Sequence, residues 1–281
     1  MGLGRLLKRL ARRLGYVREP GLQTVPAVPP PASGDGEPVL AHMLWVHGEL
    51  SPLERLAAAS FVVNGFRLKL WSYDRVTNLP RGVELCDARE IVPESRVFTY
   101  GNGSYAGFAD LFRYSVLCRE GGLWADTDVI CLVNASALRA LGDNGFLVSE
   151  RTRKGSVQIN VNVIHHPSPA PGDLIDLARV VAERFPVDTM VWGDIGPKLA
   201  TTLVKAYPRL APPIMAPDFA NPVDWWECPR RLLSASARLP SEAWFLHAYN
   251  ETWRRAGQDK SPPYPAGSVL AEVFARYQAY L

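Results

Sequence analysis

The stretch that decides the fold is Val39 to Asp74, VLAHMLWVHGELSPLERLAAASFVVNGFRLKLWSYD. Its first ten residues form an apolar run closing on Gly48, which reads as a buried strand and a turn. Ser51, with Pro52 at the first helical position and Glu54 three residues on, is a capping box, and the helix it opens closes on Asn64-Gly65. FRLKLWSYD then alternates as a strand should. Strand, helix, strand signals an α/β layered fold with a parallel sheet.

Reading outward, YAGFADLFRYSVLCREGG is a helix stopped by Gly121-Gly122, and GGLWADTDVICL follows it as strand, acidic turn and strand. FLVSE and INVNVIHH have the pattern of strands, while PGDLIDLARVVAERF, GPKLATTLVKAY and GSVLAEVFARYQAYL have that of helices. Upstream, Arg18 to Pro38 is rich in Pro, Gly and small residues, so residues 18–38 read as a linker and residues 39–281 as the folded domain.

The chain has 281 residues, 47% hydrophobic and 21% charged, the composition of an ordinary soluble globular protein. Its net charge of +3 comes entirely from residues 1–38, which leaves a neutral body and argues against nucleic acid as the main partner. The four cysteines are scattered without a CxxC pair, which fits a reducing, cytoplasmic compartment better than a disulfide framework. In residues 1–17, Leu3, Leu6, Leu7, Leu10 and Leu14 recur at helical spacing with basic residues on the other face. That is the pattern of a peripheral helix lying on a membrane surface; a solvated basic tail or a helix docked on a partner protein fits the same residues.

Asp126 and Asp128, spaced i and i+2, would project the same way from an extended backbone, and like charges that close repel unless something positive intervenes. At the carboxyl end of a strand in an α/β sheet, where open sheets bind ligands, such a pair suits Mn²⁺ or Mg²⁺. Asp110 and Arg113 stand three apart on one helix face, which by itself is the spacing of a surface ion pair.

The run FADLFRYSVLCREGGLWADTDVICL resembles the block A-S-D-x-x-R-y-x-x-L-x-x-x-G-G-x-Y-x-D-x-D of DxD sugar transferases, specifically glycosyltransferase family 32, with its capsular polysaccharide and α-mannosyltransferase-like members. MLWVHG, WSYD, GPKLAT and FLHAYNETWR look like flanking segments of that family, so the similarity spans most of residues 39–281. The resemblance implies a GT-A-like single domain, a Rossmann-like mixed sheet flanked by helices. It also implies transfer of a hexose, with retention, from a UDP- or GDP-sugar to a glycan or glycolipid hydroxyl in surface polysaccharide synthesis. By the same resemblance Asp128 ligates the metal, and Asp126 helps hold it and contacts the donor. Asp110 and Arg113 would bind donor hydroxyls, and Trp45 would stack on the base with Tyr73 nearby. His247 would be a further metal or diphosphate ligand, Trp253 and Lys260 would close over the diphosphate, and Asn160 and Asn162 would meet a sugar. Gly107-Phe108 and Trp124-Ala125 depart from the block, which leaves the choice of donor sugar open.

Two other classes fit part of the pattern. A DxD phosphatase of the haloacid dehalogenase type also needs paired acids, but after the first strand of the domain rather than this far along. A membrane-docked binding module would account for the N-terminal helix. A calcium loop of the EF-hand type does not fit, because Asp126 at its first position puts Ala137 at its twelfth.

Overall fold

The computed structural model describes residues 38–281. The basic helix expected at residues 1–17 and nearly all of the expected linker lie outside the described residues.

Strand β1 (Val39–Leu44), helix α1 (Pro52–Val63) and strand β2 (Phe66–Ser72) form the predicted opening unit, with β1 and β2 parallel and Val39 opposite Phe66. The Glu54 carboxylate accepts from the Ser51 backbone N–H at 2.9 Å, the reciprocal half of the capping box. The region left without an element in the sequence reading holds a short edge strand, β3 (Glu84–Asp87), parallel to β2. Its exposed alternate residues supply little apolar signal.

Helix α2 (Ala106–Glu120) leads through Gly121-Gly122 into β4 (Gly122–Ala125), which pairs with the other side of β1. Both glycines have positive φ, 66° and 89°, and a Cβ on Gly122 would sit 2.6 Å from the Leu40 carbonyl oxygen. Only glycine lets the helix end this close to β1. Behind the turn, His42 Nε2 donates to the Gly121 carbonyl at 3.0 Å, and His42 Nδ1 accepts from the Trp71 indole at 3.1 Å.

After β5 (Val129–Cys131) and α3 (Ala135–Arg139), β6 (Phe146–Arg151) and β7 (Val157–His166) extend the sheet. Then come α4 (Leu174–Glu183), α5 (Pro197–Ala206), β8 (Ile214–Met215) and α6 (Pro217–Ala220). The chain finishes with β9 (Phe245–His247), α7 (Asn250–Ala256) and α8 (Val269–Tyr277). The seven-stranded order is β3-β2-β1-β4-β7-β6-β8, parallel except for β7. The mixed α/β sheet expected from the sequence is therefore observed.

Side chains alternate between two cores. Leu44, Trp71 and Trp124 pack under α2, α4 and α5, while Met43, Leu70 and Leu123 pack under α1, α3 and α6. Fully burying one such large apolar side chain contributes about 1.5–3 kcal/mol. Strand order reverses between β1 and β4, so their carboxyl ends open a crevice, the place where doubly wound sheets bind ligands. A separate two-stranded ribbon, β5 with β9, lies over a third core against α8 and places Val129 opposite His247.

Candidate active site

The crevice holds a cavity of about 940 Å³, with Trp45, Asp110, Arg113, Asp126, Asp128 and His247 among its lining residues. The acids do not project from an extended strand. The Asp126 N–H donates to the Asn162 carbonyl of β7 at 2.8 Å, and the Val129 N–H turns back to the Asp126 carbonyl at 2.9 Å. This tight turn sends β5 out of the main sheet and leaves both carboxylates at its tip.

Asp126 faces Arg113, which it shares with Asp110, and Asp128 faces the His247 imidazole. Arg113 is buried on α2 and reaches Asp110 Oδ1 and Asp126 Oδ1, both at 2.8 Å. It also donates to the Val161 carbonyl at 2.9 Å and lies over the Trp124 ring at 5.3 Å. Asp126 Oδ1 accepts from the Trp124 indole as well, at 2.8 Å. His247 Nε2 lies 3.4 Å from Asp128 Oδ1. The β5–β9 register produces this pairing by setting His247 across from the residue after Asp128.

These contacts set the protonation states. Burial pushes the Asp110 carboxyl up to about 7, with Arg113 opposing and Asp126 reinforcing the shift. Burial also raises Asp126, again against Arg113. For Asp128 burial acts upward, yet His247 and the Asn250 N–H outweigh it and hold the carboxylate below its ordinary range. His247 is raised correspondingly: burial lowers it, and the neighbouring Asp128 more than compensates.

Behind these groups lies a network of which the sequence reading named only Glu54, as a helix cap, and Lys260, expected over the diphosphate but here paired with Glu54. The Asn250 N–H donates to Asp128 Oδ2 at 2.6 Å. Tyr249 takes a left-handed conformation, φ 51° and ψ 66°, to begin α7 there; a non-glycine residue held so is strained, which is common beside functional groups. Asn250 Nδ2 and Lys260 Nζ both donate to Glu54 Oε1, each at 2.6 Å, so the capping residue of α1 also anchors this corner. Asn221 Nδ2 donates to the Ser149 carbonyl at 3.0 Å, which turns its Oδ1 toward His247 Nδ1 at 3.1 Å. His247 Nδ1 is thereby the protonated nitrogen, and in the neutral ring Nε2 keeps its lone pair beside Asp128. Asn250 stands inside the FLHAYNETWR segment and so had a sequence signal; Asn221 had none.

Asp126, Asp128 and His247 each offer a ligand atom, all within 4.8 Å of one another. Two carboxylates and an imidazole suit Mn²⁺ or Mg²⁺, and the open cavity leaves room for further oxygen ligands, so the donor set fits a divalent cation.

The other sequence expectations divide. Trp45 reaches the cavity, its indole donating to the Gly48 carbonyl at 3.1 Å, and Asn160 lines the wall. Tyr73 does not reach the cavity. It is 4% exposed, and its hydroxyl donates to the Val92 carbonyl at 2.6 Å, so it belongs to the core under α2. Asn162 is a correction of the same kind: it is 1% exposed and bonded to Asn221 Oδ1, so it supports the acidic turn from behind. Trp253 lies at the cavity wall but is wholly buried, with its indole donating to the Ala248 carbonyl at 2.8 Å; it packs rather than closing over a ligand.

Residues 87–144, which contain Asp110, Arg113 and the acidic turn, match the family described as glycosyltransferase sugar-binding region containing DXD motif. An uncharacterized glycosyltransferase, L373, of Acanthamoeba polyphaga mimivirus is 29% identical over 115 residues, which cover 37% of this chain and 41% of that protein. Human alpha-1,4-N-acetylglucosaminyltransferase is 26% identical over 102 residues, 36% of this chain and 26% of the relative. The chain thus spans less than half the length of these curated relatives. Among solved structures, the glycosyltransferase GlyE of Streptococcus pneumoniae TIGR4 aligns over 85% of this chain and 60% of its own, with 17% identity and a TM-score of 0.46. The PaToxG glycosyltransferase aligns over 62% and 71%, with 17% identity and a TM-score of 0.42. The segment that carries the acidic turn is glycosyltransferase-like, of the DXD-containing kind.

Proposed function

We propose that residues 39–281 are the catalytic domain of a divalent-metal-dependent hexosyltransferase. It moves a sugar from a UDP- or GDP-sugar to a glycan or glycolipid hydroxyl with retention, in surface polysaccharide synthesis as in glycosyltransferase family 32. The observation that carries the reading is the convergence of Asp126, Asp128 and His247 within 4.8 Å in the β1/β4 crevice, beside the buried Asp110–Arg113 pair. A bound Mn²⁺ or Mg²⁺ supplies Lewis-acid stabilisation of the leaving diphosphate.

The chain's own groups supply the rest. Asp128 and His247, with Asp126, hold the cation; the Asn250 N–H fixes the Asp128 carboxylate, and Asn221 fixes the His247 ring. Arg113 keeps Asp110 and Asp126 apart and oriented, so that Asp110 can accept from donor hydroxyls. Trp45 offers its face to the base. None of the described helices is long and apolar enough to cross a membrane. Peripheral attachment on the cytoplasmic face rests on the leucine and arginine pattern of residues 1–17.

The test is calorimetric binding of UDP, GDP and their sugars to the full chain, with and without Mn²⁺, for the wild type and Asp128→Asn. Metal-dependent binding of one nucleotide, lost in the variant, supports the reading and identifies the base. Failure of every nucleotide to bind would overturn it, and phosphate esters would become the substrates to try.

A further inference from the structure

We propose that Glu150 is a catalytic residue of this cleft, the carboxylate that takes the proton of the acceptor hydroxyl as that oxygen bonds to the anomeric carbon. The inference rests on the sugar-transfer reading above and goes beyond it by assigning the acceptor side.

Glu150 lies near the end of β6, lines the cavity and is 7% exposed. The other carboxylates of the cleft corner each face a basic side chain: Asp110 and Asp126 face Arg113, Asp128 faces the His247 imidazole, and Glu54 faces Lys260. Glu150 forms no ion pair with another described residue. Neutral donors hold it instead. Gln158 Nε2 donates to Oε1 at 2.7 Å and Asn160 Nδ2 to Oε2 at 2.8 Å, while the Tyr249 hydroxyl, which lies nearer Asn221 Oδ1 at 3.1 Å, stands 3.4 Å from Oε2.

That arrangement has a chemical consequence. A buried carboxylate is costly, and a purely structural role is better served by a cation partner or a neutral side chain. Neutral donors fix the position of the carboxylate without tying it into an ion pair, which leaves it placed to meet a hydroxyl in the cleft. A carboxylate has about four acceptor positions. Each oxygen has one amide donor, from Gln158 and Asn160, and Oε1 keeps a position for another.

The placement fits the reaction. The Tyr249 ring lies 3.7 Å from the His247 ring, centroid to centroid, so Glu150 stands on the side of the cleft where the cation and diphosphate would sit. In a single-step retaining transfer the acceptor hydroxyl approaches the sugar from the leaving-group side, the side of the cleft on which Glu150 stands. The oxygen–carbon bond forms while the anomeric carbon–phosphate oxygen bond breaks. The diphosphate keeps the electron pair, and the hydroxyl proton passes to Glu150 Oε1 and from there to the departing diphosphate or water.

The experiment uses the full chain and whichever of UDP-glucose, UDP-N-acetylglucosamine or GDP-mannose binds it in the presence of Mn²⁺. Glu150→Gln and Glu150→Ala are compared with the wild type for donor affinity by calorimetry and for nucleoside diphosphate release with water or azide as acceptor. The expected result is unchanged donor affinity, turnover to water reduced by about 100-fold or more in both variants, and turnover restored in Glu150→Ala by azide, which has no proton to lose. The restored product is the glycosyl azide. Near-normal turnover to water, or azide that restores nothing, would overturn the assignment. So would loss of donor binding together with turnover, which would make Glu150 a support for the His247 side. Failure of the wild type to bind any donor would instead sink the sugar-transfer reading itself, an outcome that the variants cannot mimic.

Discussion

Acidification should destabilise this protein through His42, by an amount that its surroundings allow to be worked out. The ring is wholly buried beneath the Gly121-Gly122 turn, donates from Nε2 to the Gly121 carbonyl and accepts at Nδ1 from the Trp71 indole. Protonation would set a second N–H against the indole N–H, with no acceptor for either. Burial pushes the imidazole down from 6.5 to about 4; Glu120 and the Gly121 hydrogen bond oppose the shift, and Lys69 adds to it. Between those values the unfolded chain takes up a proton that the folded chain refuses. The stabilisation is therefore complete above the unfolded value and is lost as pH falls toward 4. Between pH 7 and pH 5 the loss through this group comes to about 2 kcal/mol. Urea unfolding of the wild type and His42→Gln at the two pH values isolates it, because other groups, including the similarly buried His165, cancel in the difference. Gln retains a donor for Gly121 but does not titrate, so its stability should depend less on pH by about that amount. Parallel pH dependences for the two proteins would show that His42 does not carry the acid sensitivity.

Three further outcomes follow from the site. Lys260→Met leaves the fully buried Glu54 carboxylate without its cation and should cost about 3 kcal/mol in chemical denaturation, with Glu54→Gln in the same chain recovering most of the loss. Gly196→Ala builds a Cβ directly onto the Asp110 carboxylate, 2.8 Å from its Cγ. It should weaken nucleotide-sugar binding about tenfold by calorimetry while sparing the free nucleotide, since one hydrogen bond to the sugar is displaced. Asn221→Leu removes the acceptor that fixes His247 Nδ1, and Mn²⁺ affinity measured by calorimetry should fall about 10- to 100-fold.

What the sequence made legible was local. The capping box at Ser51 and Glu54, the alternation in β2 and the paired glycines after α2 each act within a few residues, and each element they mark is present. Asp110, Arg113 and Asp126 stand out in the sequence through the resemblance of the block around them, since the spacing of Asp110 and Arg113 alone reads as a surface ion pair; in the structure one helix turn and one short strand bring the three together. The rest depends on partners far along the chain. Glu54 meets Lys260 across 206 positions, and Asn221 meets His247 only because β9 and the segment after α6 fold against the same corner. Tyr73 and Asn162 show the reverse limit. Their residue types suit a ligand site, but whether a side chain faces the cleft or the core depends on packing that no spacing encodes.

The β5–β9 ribbon has a bearing on how the protein is made. Asp128 and its partner His247 are separated by more than a hundred residues, and the Asn250 N–H that clamps the same carboxylate comes later still. At roughly 5–20 residues per second, a ribosome delivers the acidic turn on the order of ten seconds before the strand that neutralises it. During that interval the nascent sheet carries Asp128 without its imidazole and Glu54 without its ammonium. Strand β9 therefore acts as a latch, and the acidic corner becomes electrostatically complete only after that strand has been made.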